Sequence, residues 1–491
     1  MLKMKIFISM KKINKMKLKG LTSIGFVLFL LSFGCVSLDE KPMDFPGPDN
    51  FYATEDQILS GLTGSMGALY SQWGNYSYGW GPFQDDANSY TNLALTSGHA
   101  NWVWRAHYAA IANLNPIIKA LNSEESTIDP GIKPELMGQA KFLRAFNYFT
   151  LVRAYGDIPI ITEETDLVGE EISRQPIRDV YTLIIADLQV ARNELPESWE
   201  QFKGRPTKDA ARALLAKVYL TMATAPLKDA SYAQNARDMA LEVMDNDEHS
   251  LIPNVQDVFK IENKLGPENI WCFNATTDDI ATPPQIWLPE TMAFGWLDFN
   301  PERTWFLRYP DQPRRDAYLI LEDWNGDSWE DFSWSGSAPI RKFTYDDRET
   351  MERLQSTANI PLLRFAGVLL MYAEADNMVN GGPTQEAVDA VNQIIDRAND
   401  GADNPNHPRV TISMTEAEFD AAIIQERNLE LFFEYDRWFD LIRKEILCDV
   451  WPDRPDIEAN CDANDYLWPI PQADLRLNEL MTQNPGYSTP E

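Results

Sequence analysis

The chain has 491 residues, 44 % of them hydrophobic; that is long enough for a large core and excludes a disordered polypeptide. Its formal charge of −31 excludes a basic nucleic-acid footprint and opposes polyanionic ligands wherever no local basic patch overrides the field. Neutral ligands are therefore slightly favoured.

The first 34 residues read as a targeting segment. Seven lysines between Lys3 and Lys19 form a basic region, and residues 21–34 form a short apolar run. The run is too short for a transmembrane span. Those lysines come with no acids, so the charge from Cys35 onward is −38. The Gly34-Cys35 junction resembles a bacterial lipobox, although Ser32 stands where Leu is usual and Phe33 is bulky. Cys35 is the expected lipidation site; an ordinary secretory signal with a chance cysteine is the alternative.

From residue 35 to about 250, helical periodicity dominates. Residues 101–121 and 179–195 read as helices, and residues 142–152 are apolar nearly all round, the pattern of a buried helix. Thr207 is an expected N-cap for a helix running to Thr224, whose Ala210, Ala211, Ala213 and Ala216 allow close approach of a partner. Ala233, Ala236, Ala240 and Val243 form the stripe of the next helix. Periodicity fades over residues 251–359, where Pro, Gly, Asp and Trp cluster; long loops with short strands are expected there, on a helical scaffold. Helices return over 360–491. Residues 423–443 read as one long helix carrying Arg427, Glu430, Glu434 and Arg437 along one side. Large aromatics crowd those charges, so burial and pairing are expected. Cys448 and Cys461 are the expected pair if a disulfide forms, with Cys272 a small buried hydrophobe.

Tryptophan distribution is the clearest functional signal. Two windows, Trp73 to Trp104 and Trp271 to Trp334, hold 11 of the 15 tryptophans in under a fifth of the chain. Indole faces suit the C–H face of a pyranose ring, and the ring's hydroxyls need polar groups at the edge. Trp80, Asp85, Asp86 and Asn88 supply this in the first window. Trp287, Trp296, Trp324, Trp329 and Arg303 supply it in the second. The competing reading is that each tryptophan packs the base of a loop. Asp323, Asn325 and Asp327 have the first three ligand spacings of a calcium loop, but Ser328 and Trp334 occupy its glycine and glutamate positions. An ordinary acidic turn is the alternative there. Enzyme signatures are missing: four histidines lack metal-ligand spacing, and acidic doublets are expected by chance among 74 acids.

Six stretches occur together in one order: AKFLRAFNYFTLVRAYGDIP at 140–159, LLRFAGVLLMYAEADN at 362–377, AVDAVNQIIDRA at 387–398, IIQERNLELFFEYDRWFDLIR at 423–443, YLWPIPQ at 466–472 and QNPGY at 483–487. In that order they resemble the SusD/RagB family of outer-membrane lipoproteins in Bacteroidetes. The resemblance implies a mainly α fold of stacked tetratricopeptide-like helix pairs with a loop-rich central insertion. It implies surface capture of an oligo- or polysaccharide, with no catalysis, and a SusC-like TonB-dependent transporter as partner. A peptide-binding RagB-like lipoprotein and a surface glycosidase are the alternatives.

Overall fold

The computed structural model describes residues 51–80, 87–88, 97–166, 172–200, 203–276, 283–333, 335–450 and 461–489. Tyr52–Glu491 forms one compact unit; Cys35 and the targeting segment lie outside the described residues.

Helices α1 (Glu55–Trp80) and α2 (Ser97–Asn122) pack as a pair. Ile58, Leu62, Met66 and Leu69 of α1 face Leu114, Ile117, Ile118 and Leu121 of α2 in one core, the stripe that 3.6-residue periodicity produces. Between them lies the short strand β1 (Ala87–Asn88). Helices α3 (Lys133–Tyr155) and α4 (Ile177–Glu194) form a second pair, α5 (Lys208–Ala223) and α6 (Tyr232–Met244) a third. α3 is buried on nearly every side, as its sequence requires. One of its few charges, Arg144, is matched by Asp187 of α4 at 2.6 and 2.9 Å. Thr207 caps α5 by accepting from the amide of Ala210.

The central region leaves and re-enters this scaffold through an antiparallel pair, β2 (Asn269–Phe273) with a later strand, Ile360–Arg364, so its two ends lie side by side. Within it run β3 (Asn300–Pro301) and four short helices, α7 (Arg303–Arg308), α8 (Pro313–Tyr318), α9 (Trp329–Phe332) and α10 (Arg348–Glu352). The region is thus more helical than its fading periodicity suggests, because runs of four to six residues are too short to show a stripe. The returning strand is β4; α11 (Phe365–Asn380) and α12 (Gln385–Ala398) follow as a fourth helix pair. Residues 362–364 therefore belong to a strand, not to the helix that follows.

The expectation of one helix over 423–443 is corrected. α13 (Glu416–Glu430) stops, the backbone turns through left-handed Phe433 and Tyr435, and α14 (Arg437–Arg443) begins anew. Lys342 of the central region donates to the carbonyls of Glu430 and Phe432 at 2.7 and 3.0 Å. Those carbonyls would otherwise serve a continuing helix. Phe432 and Phe433 turn into the core of the central region instead. The short helix α15 (Gln472–Leu477) precedes the C-terminal tail. Cys448 and Cys461 are bonded, and Cys272 is buried.

Candidate functional site

A buried ionic cluster fixes the central region to the scaffold. Glu430 accepts from Arg314, Tyr318, Arg364 and Arg397 at 2.8–3.0 Å, and Glu434 accepts from Lys342 and Arg364 at 2.7–2.8 Å. Burial alone would raise the Glu430 carboxyl; the guanidiniums of Arg397, Arg364 and Arg314 outweigh it and hold the group well below the usual carboxylate range. Burial pushes the Lys342 ammonium down to about 8, against the opposing pull of Glu434. The charges read from the sequence are buried; Glu430 and Glu434 take partners from distant segments, whereas Arg427 meets Asp440 of the same stretch at 2.8 Å.

The central region also carries a tight loop over residues 289–297 with two exposed aromatics. Phe294 is 76 % exposed and Trp296 41 %. Ala293, Phe294 and Leu297 all have left-handed backbones, with φ of 50°, 53° and 53°. Each such non-glycine costs on the order of 1 kcal/mol, and strain of this kind concentrates at binding sites. The loop is held by hydrogen bonds from Trp296 N to Gln285 O (2.7 Å), Leu297 N to Leu288 O (3.0 Å) and Gly295 N to Met292 O (3.0 Å). Beneath it, Leu288, Met292 and Ala293 pack with Ile320 and Met351.

The structure joins the two tryptophan windows. Asn88 pairs with Asn300 and Ala87 with Pro301, so the first window meets the second three residues after Leu297. Arg303 is exposed at the start of α7 and donates to the carbonyl of Gly336 at 2.9 Å.

The other expected contacts divide. Trp287 is corrected: it is 1 % exposed and packs against Phe299, Phe343 and Phe433, so its faces are already covered. Trp324 and Trp329 are half-buried. Arg348 lies over the Trp324 ring at 4.7 Å, and Trp329 meets Phe306 edge-on at 4.9 Å. For Trp80 only the helix position, the last of α1, is described; Asp85 and Asp86 lie outside the described residues. Phe294 was not singled out in the sequence, because one aromatic in an irregular stretch carries no periodic signal.

Asp323, Asn325 and Asp327 form an acidic turn. An Asp323 carboxylate oxygen accepts from the amides of Asn325 and Asp327 at 2.7 and 3.1 Å, so the turn holds itself without an ion. Among the described residues, no group of three or more His, Cys, Asp or Glu side chains is placed to hold a metal. His107 bonds to Asn147, and His407 to Glu426. Asp346 binds Ser356 and Thr357, and Asp347 caps α10.

A separate cleft of about 970 Å³ lies among α3, α5, α14 and the C-terminal tail. Its polar lining is already in use. Arg174 donates to the carbonyls of Asp157, Tyr155 and Thr482 and to Asn484, and Gln483 bonds both ways with Ile470. These groups staple the tail to the scaffold and offer little to a ligand.

Comparison with known proteins fits this arrangement. Residues 55–220 match the family described as starch-binding and associating with the outer membrane, and residues 281–453 match the SusD family. The chain belongs to the SusD/RagB family. A SusD-like protein P2 from Formosa agariphila is 28 % identical, the match covering 94 % of this chain and 99 % of that one. A SusD superfamily protein from Parabacteroides distasonis superposes with a TM-score of 0.76 at 24 % identity, over 88 % of this chain and 99 % of the other. A laminarin-binding SusD-like protein superposes at 0.72 with 23 % identity, over 89 % and 100 %. The fold is thus the tetratricopeptide-like helical architecture of SusD proteins, and this SusD-family chain is not an enzyme. Among the described residues no helix is long and apolar enough to cross a membrane.

Proposed function

We propose that this protein captures an oligo- or polysaccharide at the cell surface and passes it to a SusC-like TonB-dependent transporter, held at the outer membrane by lipid on Cys35. The observation that carries the reading is the pair Phe294 and Trp296, two exposed aromatics on a hydrogen-bonded, left-handed loop. Their apolar faces suit pyranose rings. Arg303, exposed close to the backbone pairing of Asn88 with Asn300, offers a guanidinium for the hydroxyls. Trp324 and Trp329, half-buried, are candidate outer contacts. The starch-binding family description and the laminarin-binding neighbour support a carbohydrate cargo. The charge of −31 favours a neutral one.

The test is calorimetric titration of the chain from residue 36, which contains the whole compact unit, against neutral and anionic oligosaccharides. Binding without release of reducing ends is expected. Phe294→Ala and Trp296→Ala should each weaken it about tenfold. An unchanged affinity in the double variant would sink the assignment of the site. Copurification of the full chain with a transporter from outer membranes tests the partner.

A further inference from the structure

Two residues bear on the placement of the aromatic pair: the buried Gln285, and Gly295, which lies between the two aromatics. Gln285 is 1 % exposed, and its side-chain amide donates to Met351 O at 3.0 Å and Ala293 O at 3.4 Å. Its own carbonyl accepts from Trp296 N at 2.7 Å and Leu297 N at 3.3 Å. One residue thereby ties the aromatic loop, on both sides of Phe294, to Met351 in α10. The side-chain oxygen of Gln285 has no hydrogen-bond partner, so this buried amide is not explained by its own satisfaction. Gly295, between the two aromatics, has no room for a side chain. A Cβ there would lie 1.9 Å from Leu288 O and 2.7 Å from Pro289 O. Both are backbone atoms, so any side chain would force the loop open.

We infer that Gln285 and Gly295 are positioning residues: they lock the loop so that Phe294 and Trp296 are fixed before ligand arrives. This rests on the glycan-capture reading for its purpose, though not for its geometry. A loop ordered in advance loses little conformational freedom on binding, and each mobile aromatic that must be immobilised weakens affinity about two- to tenfold.

The experiment compares the chain from residue 36 with its Gly295→Ala and Gln285→Leu variants. Hydrogen exchange is read by mass spectrometry, and calorimetry uses laminarin and a sulfated galactan as probes. Expected is slow exchange over 292–297 in the parent chain and at least tenfold faster exchange there in both variants. Peptides from α3 and α11 should not change. For a probe that binds, affinity should fall about five- to tenfold with the loss in entropy, at nearly unchanged Tm. Free exchange over 292–297 in the parent, or variants that exchange and bind like it, overturns the inference. Phe294→Ala separates the two ideas. If it loses affinity while Gly295→Ala does not, positioning fails and capture stands. If the parent binds neither probe, that counts against capture, and the exchange data alone decide whether the loop is locked.

Discussion

Lys342 places its ammonium 2.8 Å from a Glu434 carboxylate oxygen where both side chains are buried. The same ammonium holds the carbonyls of Glu430, at the end of α13, and Phe432, just past it. Removing one partner of a buried ion pair leaves the other uncompensated, which typically costs about 3–5 kcal/mol. Lys342→Ala should therefore lower the urea unfolding free energy by about that much. Lys342→Met should cost less, because it keeps most of the stem volume and Arg364 still meets Glu434 at 2.7 Å. A loss under about 1 kcal/mol for Lys342→Ala would show that the cluster does not hold the central region to the scaffold.

Two buried groups set the pH response: this cluster around Glu430, and a second in which Glu374 meets Arg443 and Lys444. In Glu374 and Glu430 burial alone would raise the carboxyls; Arg443 and Lys444 outweigh it at Glu374, Arg397 and Arg364 at Glu430, and both end far below the unfolded value of 4.5. Their contribution is full above that value and is lost as pH falls toward the folded ones. Lys342 has the opposite sense. Its folded value is about 8 against 10.5 unfolded, so the unfolded chain binds more protons between the two. Stability from this group therefore rises from pH 8 to 10.5. Melting curves from pH 3 to 10 should fall on the acid side, and the parent-minus-Lys342→Met difference should climb on the alkaline side. A flat difference curve would contradict the assigned burial.

Two tryptophans of one window should behave oppositely. Trp287, enclosed by three phenylalanines, should cost about 3–5 kcal/mol when changed to alanine. Trp296→Ala, on the exposed loop, should change stability by less than about 1 kcal/mol and act on glycan affinity instead. Denaturant midpoints of the two variants, measured side by side, check this; equal midpoints would place Trp296 in the core.

That contrast marks where the sequence stops being readable. Trp287 and Trp296 sit nine residues apart in similar aperiodic company, and only long-range packing tells them apart. The helices α5 and α6 were legible because a cap such as Thr207, or a 3.6-residue stripe such as Ala233, Ala236, Ala240 and Val243, is local information. The break after Glu430 was not, since its cause is Lys342, 88 residues away. The pairing of Asn88 with Asn300 likewise joins segments that nothing local connects.

The remaining thiol chemistry gives a sharp count. The Cys448–Cys461 bond spans 13 positions and closes a loop that the reduced, unfolded chain would leave open. Loop-closure entropy for such a span stabilises the fold by about 3 kcal/mol. Burial pushes the Cys272 thiol up to about 12, and its sulfur lies against the Asn359 amide at 3.1 Å. Nucleophilic attack needs thiolate and access, and Cys272 has neither. The native chain from residue 36 should therefore react with no equivalents of a thiol reagent. It should react with one after denaturation and with three after denaturation and reduction. The Cys448→Ala, Cys461→Ala double variant should unfold about 3 kcal/mol more easily and still expose no thiol while folded. A reactive thiol in the native protein would place Cys272 at the surface, or leave Cys448 and Cys461 unbonded.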